Sequence, residues 1–222
     1  MTVLAFDTSC ACAKVAITKD GKLLGEAYEN DMRTHSVKLM PMIDECMKNA
    51  GLTPCDIDLI GVVTGPGSFT GLRIGVATAK SVAFAKNIPV VGINTLDFLA
   101  AASFEYDAVV CPIIDARNEN VYCDIYVGGE SGAGCEVRTI DEIADMAKET
   151  AVACRTKNII FTGDAAKKYA DKLSFATLND GTEGTAHTLC KLSEKHQNEA
   201  VSAAELEVNY YRMAQAERMK NA

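Results

Sequence analysis

Asp7 is the side chain best placed to do chemistry. It closes the apolar run Val3-Leu4-Ala5-Phe6 and is followed by Thr8 and Ser9. An aspartate ending a buried strand can position a divalent cation and phosphates for phosphoryl transfer. The following turn, Thr8-Ser9-Cys10-Ala11-Cys12, has no glycine to let backbone amides close around a phosphate, so the alternative is that Asp7 binds its own turn. A second candidate is the run Thr64-Gly65-Pro66-Gly67-Ser68-Phe69-Thr70-Gly71-Leu72-Arg73-Ile74-Gly75. A glycine turn between a strand and a helix often binds phosphate, but the spacing fails both usual motifs. No Gly-Lys-Ser/Thr occurs in it, and Thr70 stands where the third glycine of the dinucleotide fingerprint belongs, with Gly71 one place late. Ser68 has no base at a recognisable spacing and reads as the cap of the helix that follows.

The elements that must position these residues can be read along the chain. Val3 to Asp7, Ala13 to Thr18 and Leu23 to Tyr28 read as a β-meander, with a Lys19-Asp20-Gly21-Lys22 turn. Leu39, Met40, Ile43, Cys46, Met47 and Ala50 recur at helical spacing over Ser36 to Asn49, where Pro41 should bend the first turn and Gly51 ends the helix. Ile57 to Val63 is a strand leading into the glycine turn. In the helix beyond it, Gly71, Gly75, Ala79 and Ala83 fall on one stripe that admits a close backbone neighbour, either the protein's own sheet or a second chain. Val90 to Ile93 is a strand, and Thr95 caps a helix to Ala102. From Ala108 the plan partly repeats: strands at Val109 to Ile114 and Val121 to Val127, a capping box at Thr139 and Glu142 opening a helix to Thr150, and a strand at Asn158 to Phe161 leading through Thr162-Gly163-Asp164 into another helix. Thr185 to His196 reads as helix, and Ser202 to Met219 as a charged, partly helical tail.

The chain has 222 residues, 48% of them hydrophobic, enough for one large core or two small ones. A formal charge of −8 opposes autonomous binding to a phosphate backbone. Lys167 with Lys168, and Arg73 with Lys80 and Lys86, read as solvated faces. The nine cysteines are scattered, with Cys10 and Cys12 the one close pair, which excludes a zinc ribbon and a CxxC redox site and suggests small core residues. Met1 leads into the first strand without a basic leader, and no apolar run is long enough to span a bilayer. The expectation is a cytoplasmic protein with no membrane contact.

The segment Gly65 to Gly75 resembles the signature of the bacterial TsaB family, also called YeaZ. Asp7-Thr8-Ser9, His35-Ser36 with Leu39 and Pro41, Asp115-Ala116-Arg117 with Val121-Tyr122, and Gly163-Asp164 follow in that family's order, so the resemblance covers nearly the whole chain. A departure lies at Glu207-Val208-Asn209-Tyr210-Tyr211-Arg212-Met213, where the family tends to show a proline before a Tyr-Leu-Arg run. The resemblance implies an α/β, two-domain fold of the actin, Hsp70 and sugar-kinase type, a duplicated mixed sheet with crossing helices. Its domains are expected at 1–105 and 106–200, with a tail over 201–222.

The resemblance further implies an accessory subunit, not an enzyme. It would bind and activate TsaD, with the ATPase TsaE, for transfer of threonylcarbamoyl to the adenosine beside the anticodon of tRNAs reading codons that start with A. Transfer RNA would be met mainly through the complex, and homodimers would form when TsaD is absent. No tightly bound cofactor is implied, with ATP or ADP at the TsaD interface left open and Asp7 and Thr8 the weak candidates for nucleotide contact. The catalytic relative binds metal through His-x-x-x-His, whereas His35, His187 and His196 are followed at the fourth place by Leu39, Lys191 and Ala200, which also argues against a metallopeptidase. The signature turn would be Gly65, Pro66, Gly67, Ser68, Phe69 and Thr70. The partner interface would comprise His35, Leu39, Met40, Ile43 and Met47 on the first long helix and Gly71, Arg73, Gly75, Val76 and Ala79 on the second, with Met32 and Met42 adding adaptable thioethers. On that reading Gly75→Leu, or charges at Met40 and Met47, abolish association with TsaD while the chain stays folded. The alternatives are an ATP-dependent phosphotransferase of the sugar-kinase type, a glycoprotease-like peptidase, and a dimerisation protein unconnected with tRNA.

Overall fold

The computed structural model describes residues 1–31, 34–179 and 186–211. Met32 and the tail beyond Tyr211 lie outside them. Two compact units form, Met1–Thr95 with Ala186–Ala222, and Leu96–Thr185. The boundary expected at 105 therefore falls ten residues earlier, and the one expected at 200 is replaced by a return of the chain to the first unit at 186.

In the first unit β1 (Thr2–Asp7), β2 (Ala13–Lys19) and β3 (Lys22–Glu29) make the expected antiparallel meander, and α1 (His35–Asn49) runs through Pro41 without interruption. Next come β4 (Leu59–Gly65), α2 (Phe69–Lys86) and β5 (Val90–Asn94), giving the strand order β3-β2-β1-β4-β5 with β4 and β5 parallel to β1. β1 and β4 are buried along their whole length, as expected of strands covered on both faces. Leu4, Phe6, Ile60 and Val62 meet Leu39, Ile43, Val76, Ala79 and Ala83 of α1 and α2 in one core.

The second unit opens along α3 (Thr95–Ala102) and contains β6 (Val109–Asp115), β7 (Asn120–Cys123), β8 (Tyr126–Val127), β9 (Glu130–Ser131) and β10 (Glu136–Thr139). α4 (Ile140–Cys154), β11 (Ile159–Thr162), α5 (Asp164–Lys168) and β12 (Thr177–Asn179) complete it. The strand predicted over Val121 to Val127 is divided into β7 and β8. Both keep one register against β6, with Ile113 opposite Cys123 and Val110 opposite Tyr126. The ladder stops between them, where Pro112 has no amide hydrogen to give. The capping box forms as read: Thr139 Oγ1 accepts from Glu142 N at 3.3 Å while Glu142 accepts from Thr139 N at 2.8 Å.

The main path of the second sheet, β10-β7-β6-β11-β12, repeats β3-β2-β1-β4-β5 with the same pattern of antiparallel and parallel pairs. This duplicated mixed sheet with crossing helices is the actin/Hsp70/sugar-kinase-like architecture. The last helix, α6 (Ala186–Lys195), returns to the first unit and buries Ala186, Leu189, Cys190 and Ser193 against β1, β2 and β4. Of the tail expected to be partly helical, 202–211 carry one turn, at 203–205, and no helix, and are held by backbone and side-chain bonds to β4, β5 and α2; the remainder of that expectation lies outside the described residues.

Candidate functional site: the β1 turn and the start of α2

β1 delivers Asp7 to a buried position, and what surrounds the carboxylate fixes what it can do. Asp7 Oδ1 accepts from Ser9 N at 2.7 Å, and Oδ2 accepts from Lys14 Nζ at 3.2 Å. The two side chains of this ion pair are 1% and 2% exposed. Lys14 Nζ also lies 3.4 Å from Cys10 Sγ. Burial opposes the Lys14 charge, yet the Asp7 carboxylate with Cys10 and Cys12 outweighs it and holds the ammonium above its ordinary pKa. Burial, then the Asp7 charge, pushes the Cys10 thiol up to about 11, the opposite of a reactive cysteine. Asp7 thus binds its own turn and an internal ammonium, the second of the two roles open to it from sequence.

The glycine turn is equally occupied by its own protein. Ser68 N donates to Ser9 O at 2.7 Å, Gly71 N donates to Ser68 Oγ at 3.2 Å, and Leu72 N donates to Ser68 O at 2.8 Å. Ser68 is the expected cap. Thr95 Oγ1 donates to Pro66 O at 2.5 Å, and Thr8 Oγ1 to Gly71 O at 2.7 Å. These three amides at the head of α2 are therefore bonded within the chain. A Cβ on Gly71 would stand 1.9 Å from Thr8 O, and one on Gly75 2.5 Å from Thr8 Oγ1. The small-residue stripe therefore exists to seat α2 on the β1 turn, which settles the choice the spacing left open.

That packing corrects much of the predicted interface. His35, Leu39, Ile43, Met47, Gly71, Gly75, Val76 and Ala79 are all buried within the first unit, whereas Met40 and Arg73 are exposed. His35 Nε2 lies 3.1 Å from the Ala11 carbonyl and so carries the proton it donates there, which ties α1 to the β1 turn. Beside Met40, at 50% exposure, α1 exposes Val37, at 71%, among the charged Lys38, Asp44, Glu45 and Lys48, and α2 exposes Phe84, at 83%, with Ala77, Ser81 and Ala85. On the signature turn Phe69 and Thr70 are exposed, and Arg73 lies over the Phe69 ring, 3.8 Å from its centroid.

Sequence reasoning missed Lys14, although a lysine inside the apolar strand Ala13 to Thr18 was the available signal. It also missed that the last residue of β6 is an aspartate with a partly similar set of partners, although its lysine comes from α5 and the pair is partly exposed where Asp7 and Lys14 are buried. At the end of β6, Asp115 Oδ1 accepts from Arg117 N at 2.9 Å and Oδ2 from Lys168 Nζ at 2.8 Å, the same pattern of an amide two residues on and a lysine. The neighbouring Asp164, which accepts from Asp115 N, is held above the ordinary carboxylate range by burial, with the Asp115 charge adding. Among the described residues no group of three His, Cys, Asp or Glu could hold a metal ion, and no helix is long and apolar enough to cross a membrane. A cavity of about 400 Å³ lies in the second unit between β7, β8 and α4. None of the sequence-predicted site residues lines it.

Fold and site together define a two-unit protein of actin- and sugar-kinase-like architecture in which the Ser68, Gly71 and Leu72 amides at the head of α2 are bonded within the chain. The family model described as "TsaD: tRNA N6-adenosine threonylcarbamoyltransferase" matches residues 22–219. The chain is 31% identical to the tRNA threonylcarbamoyladenosine biosynthesis protein TsaB of Buchnera aphidicola over 173 residues, 75% of this chain and 80% of that one. It is 36% identical to the TsaB of Bacillus subtilis over 57% of this chain and 55% of the relative. The chain spans little more than half the length of the first curated relatives it matches. The solved structure of YeaZ from Pseudomonas aeruginosa superposes with a TM-score of 0.76 at 25% identity, covering 95% of this chain and all of that one. The chain belongs to the TsaB (YeaZ) family.

Proposed function

We propose that this protein is a non-catalytic subunit of tRNA threonylcarbamoyladenosine biosynthesis, which binds TsaD through α1 and α2 and activates it for transfer of threonylcarbamoyl to tRNA in the cytoplasm. The observation that carries the reading is the closed β1 turn. With Asp7 held by Lys14 and by the Ser9 amide, and with the head of α2 seated on Thr8, the groups that would take a metal and phosphates are spent. A chain of this fold without that site is suited to shaping a partner. The contact surface is the exposed band on α1 and α2, where Val37, Met40, Ala77, Ser81 and Phe84 present apolar and small side chains, a composition that marks interaction surfaces. The same band serves homodimers when TsaD is absent, and TsaE joins through the complex.

The test is co-purification with TsaD and gel filtration of the mixture. Val37→Asp, Met40→Asp and Phe84→Asp together should abolish the complex while leaving the far-ultraviolet circular dichroism and the unfolding midpoint unchanged. A complex of undiminished size and yield would refute this surface.

A further inference from the structure

The segment after α6, which departs from its family in sequence, is left unexplained by the proposed function. Its first half is anchored. Val201 pairs with Val90 on the edge strand β5, with N to O distances of 2.8 and 2.9 Å. Leu206 is buried, and Lys80 Nζ of α2 donates to the carbonyls of Ala204 and Leu206 at 3.2 and 2.9 Å.

The second half lies over the C-terminal ends of β4 and β5, the side on which open α/β sheets receive ligands. Asn209 N donates to Thr64 O at 2.9 Å and its Nδ2 to Thr64 Oγ1 at 3.2 Å, while Asn94 Nδ2 donates to Tyr211 Oη at 2.9 Å. Asn209 O comes so near Gly65, at φ +126°, that a Cβ there would stand 2.7 Å from it. Tyr210 then reaches α2. Its hydroxyl accepts from Arg73 Nε at 2.9 Å, and its ring centroid is 5.1 Å from that of Phe69. The hold is graded along the segment: Leu206 is 3% exposed and Val208 still packs against the core of the first unit, whereas Tyr210 and Tyr211 are 48% and 39% exposed, and the contacts of Tyr210 with Arg73 and Phe69 are of the weak surface kind.

We propose that residues 209–211 form a releasable strap, hinged after Val208, that competes with the partner of α1 and α2 for Arg73 and Phe69. The proposal rests on the partner reading above. Phe69 and Arg73 lie in the first turns of the helix that carries Phe84 near its other end, so a partner lying along the whole of α2 covers the side chains that Tyr210 occupies. While the strap is down, the binding-competent fraction is small and the apparent affinity falls in proportion.

The experiment titrates TsaD with the full chain and with Tyr210→Ala and Asn209→Ala/Tyr210→Ala variants by calorimetry, and follows exchange of the Asn209 amide by hydrogen-deuterium mass spectrometry. Both variants should bind about tenfold tighter than the unaltered chain, and complex formation should speed Asn209 exchange in the unaltered chain. Binding by all three at equal strength, weaker binding by the variants, or unchanged Asn209 protection in the complex would overturn the strap alone. Absence of binding by every form would overturn the partner reading and the strap with it.

Discussion

Lys14 decides what Asp7 is. An ammonium and a carboxylate at 3.2 Å, both almost wholly removed from water, form a pair whose desolvation consumes most of its Coulomb attraction, so its net gain is small while the loss of one partner is severe. Lys14→Met should therefore destabilise the protein by about 3–5 kcal/mol, measured by urea unfolding, and Asp7→Asn in the same chain should recover most of that loss. A double variant no more stable than Lys14→Met would show that the lysine acts through packing, not charge. The pair also has a pH signature. Because the folded-state pKa of Lys14 is raised, its contribution is fully present below the ordinary lysine value of 10.5 and is lost as the pH climbs through the folded value. Stability measured across that alkaline window should fall more in the unaltered chain than in the double variant.

At the scale of elements, α2 shows how a sequence pattern acquires its meaning from what lies beneath it. Gly71 and Gly75 sit on Thr8 at distances that leave no room for a Cβ, so Gly75→Leu should cost about 3 kcal/mol through overpacking and lower the unfolding midpoint. Loss of partner binding by Gly75→Leu would therefore report on the seating of α2 as well as on the surface. If Gly75→Leu melts with the unaltered chain, the seating of α2 has been misread. The elements themselves were largely legible: the meander, both long helices of the first unit, the Thr139 capping box and the repeat all follow from period, caps and turns. Local signals did not reveal short edge strands such as β10 and β12, which owe their pairing to the sheet they join, nor the break opposite Pro112. The destination of α6 and of the tail was also hidden, because a segment's own periodicity says that it has a buried face and not which sheet it covers. Leu39, Ile43 and Met47 enter the interface only through the family resemblance, because an apolar stripe by itself looks alike whether it meets its own core or another chain.

For the whole molecule, the duplicated sheet carries two aspartates in matching places, Asp7 and Asp115, and both are engaged by a lysine and by an amide two residues on. Only the first pair is buried; Asp115 and Lys168 are 30% and 46% exposed. The most direct test uses a strain depleted of its own TsaB and measures threonylcarbamoyladenosine in its tRNA by mass spectrometry. The chain carrying Asp7→Asn with Lys14→Met, which has no site carboxylate and whose folding is checked by its urea unfolding, should restore the modification as well as the unaltered chain does, whereas the chain with Val37→Asp, Met40→Asp and Phe84→Asp should leave it absent. Loss of the modification with the first variant and its recovery with the second would contradict the account.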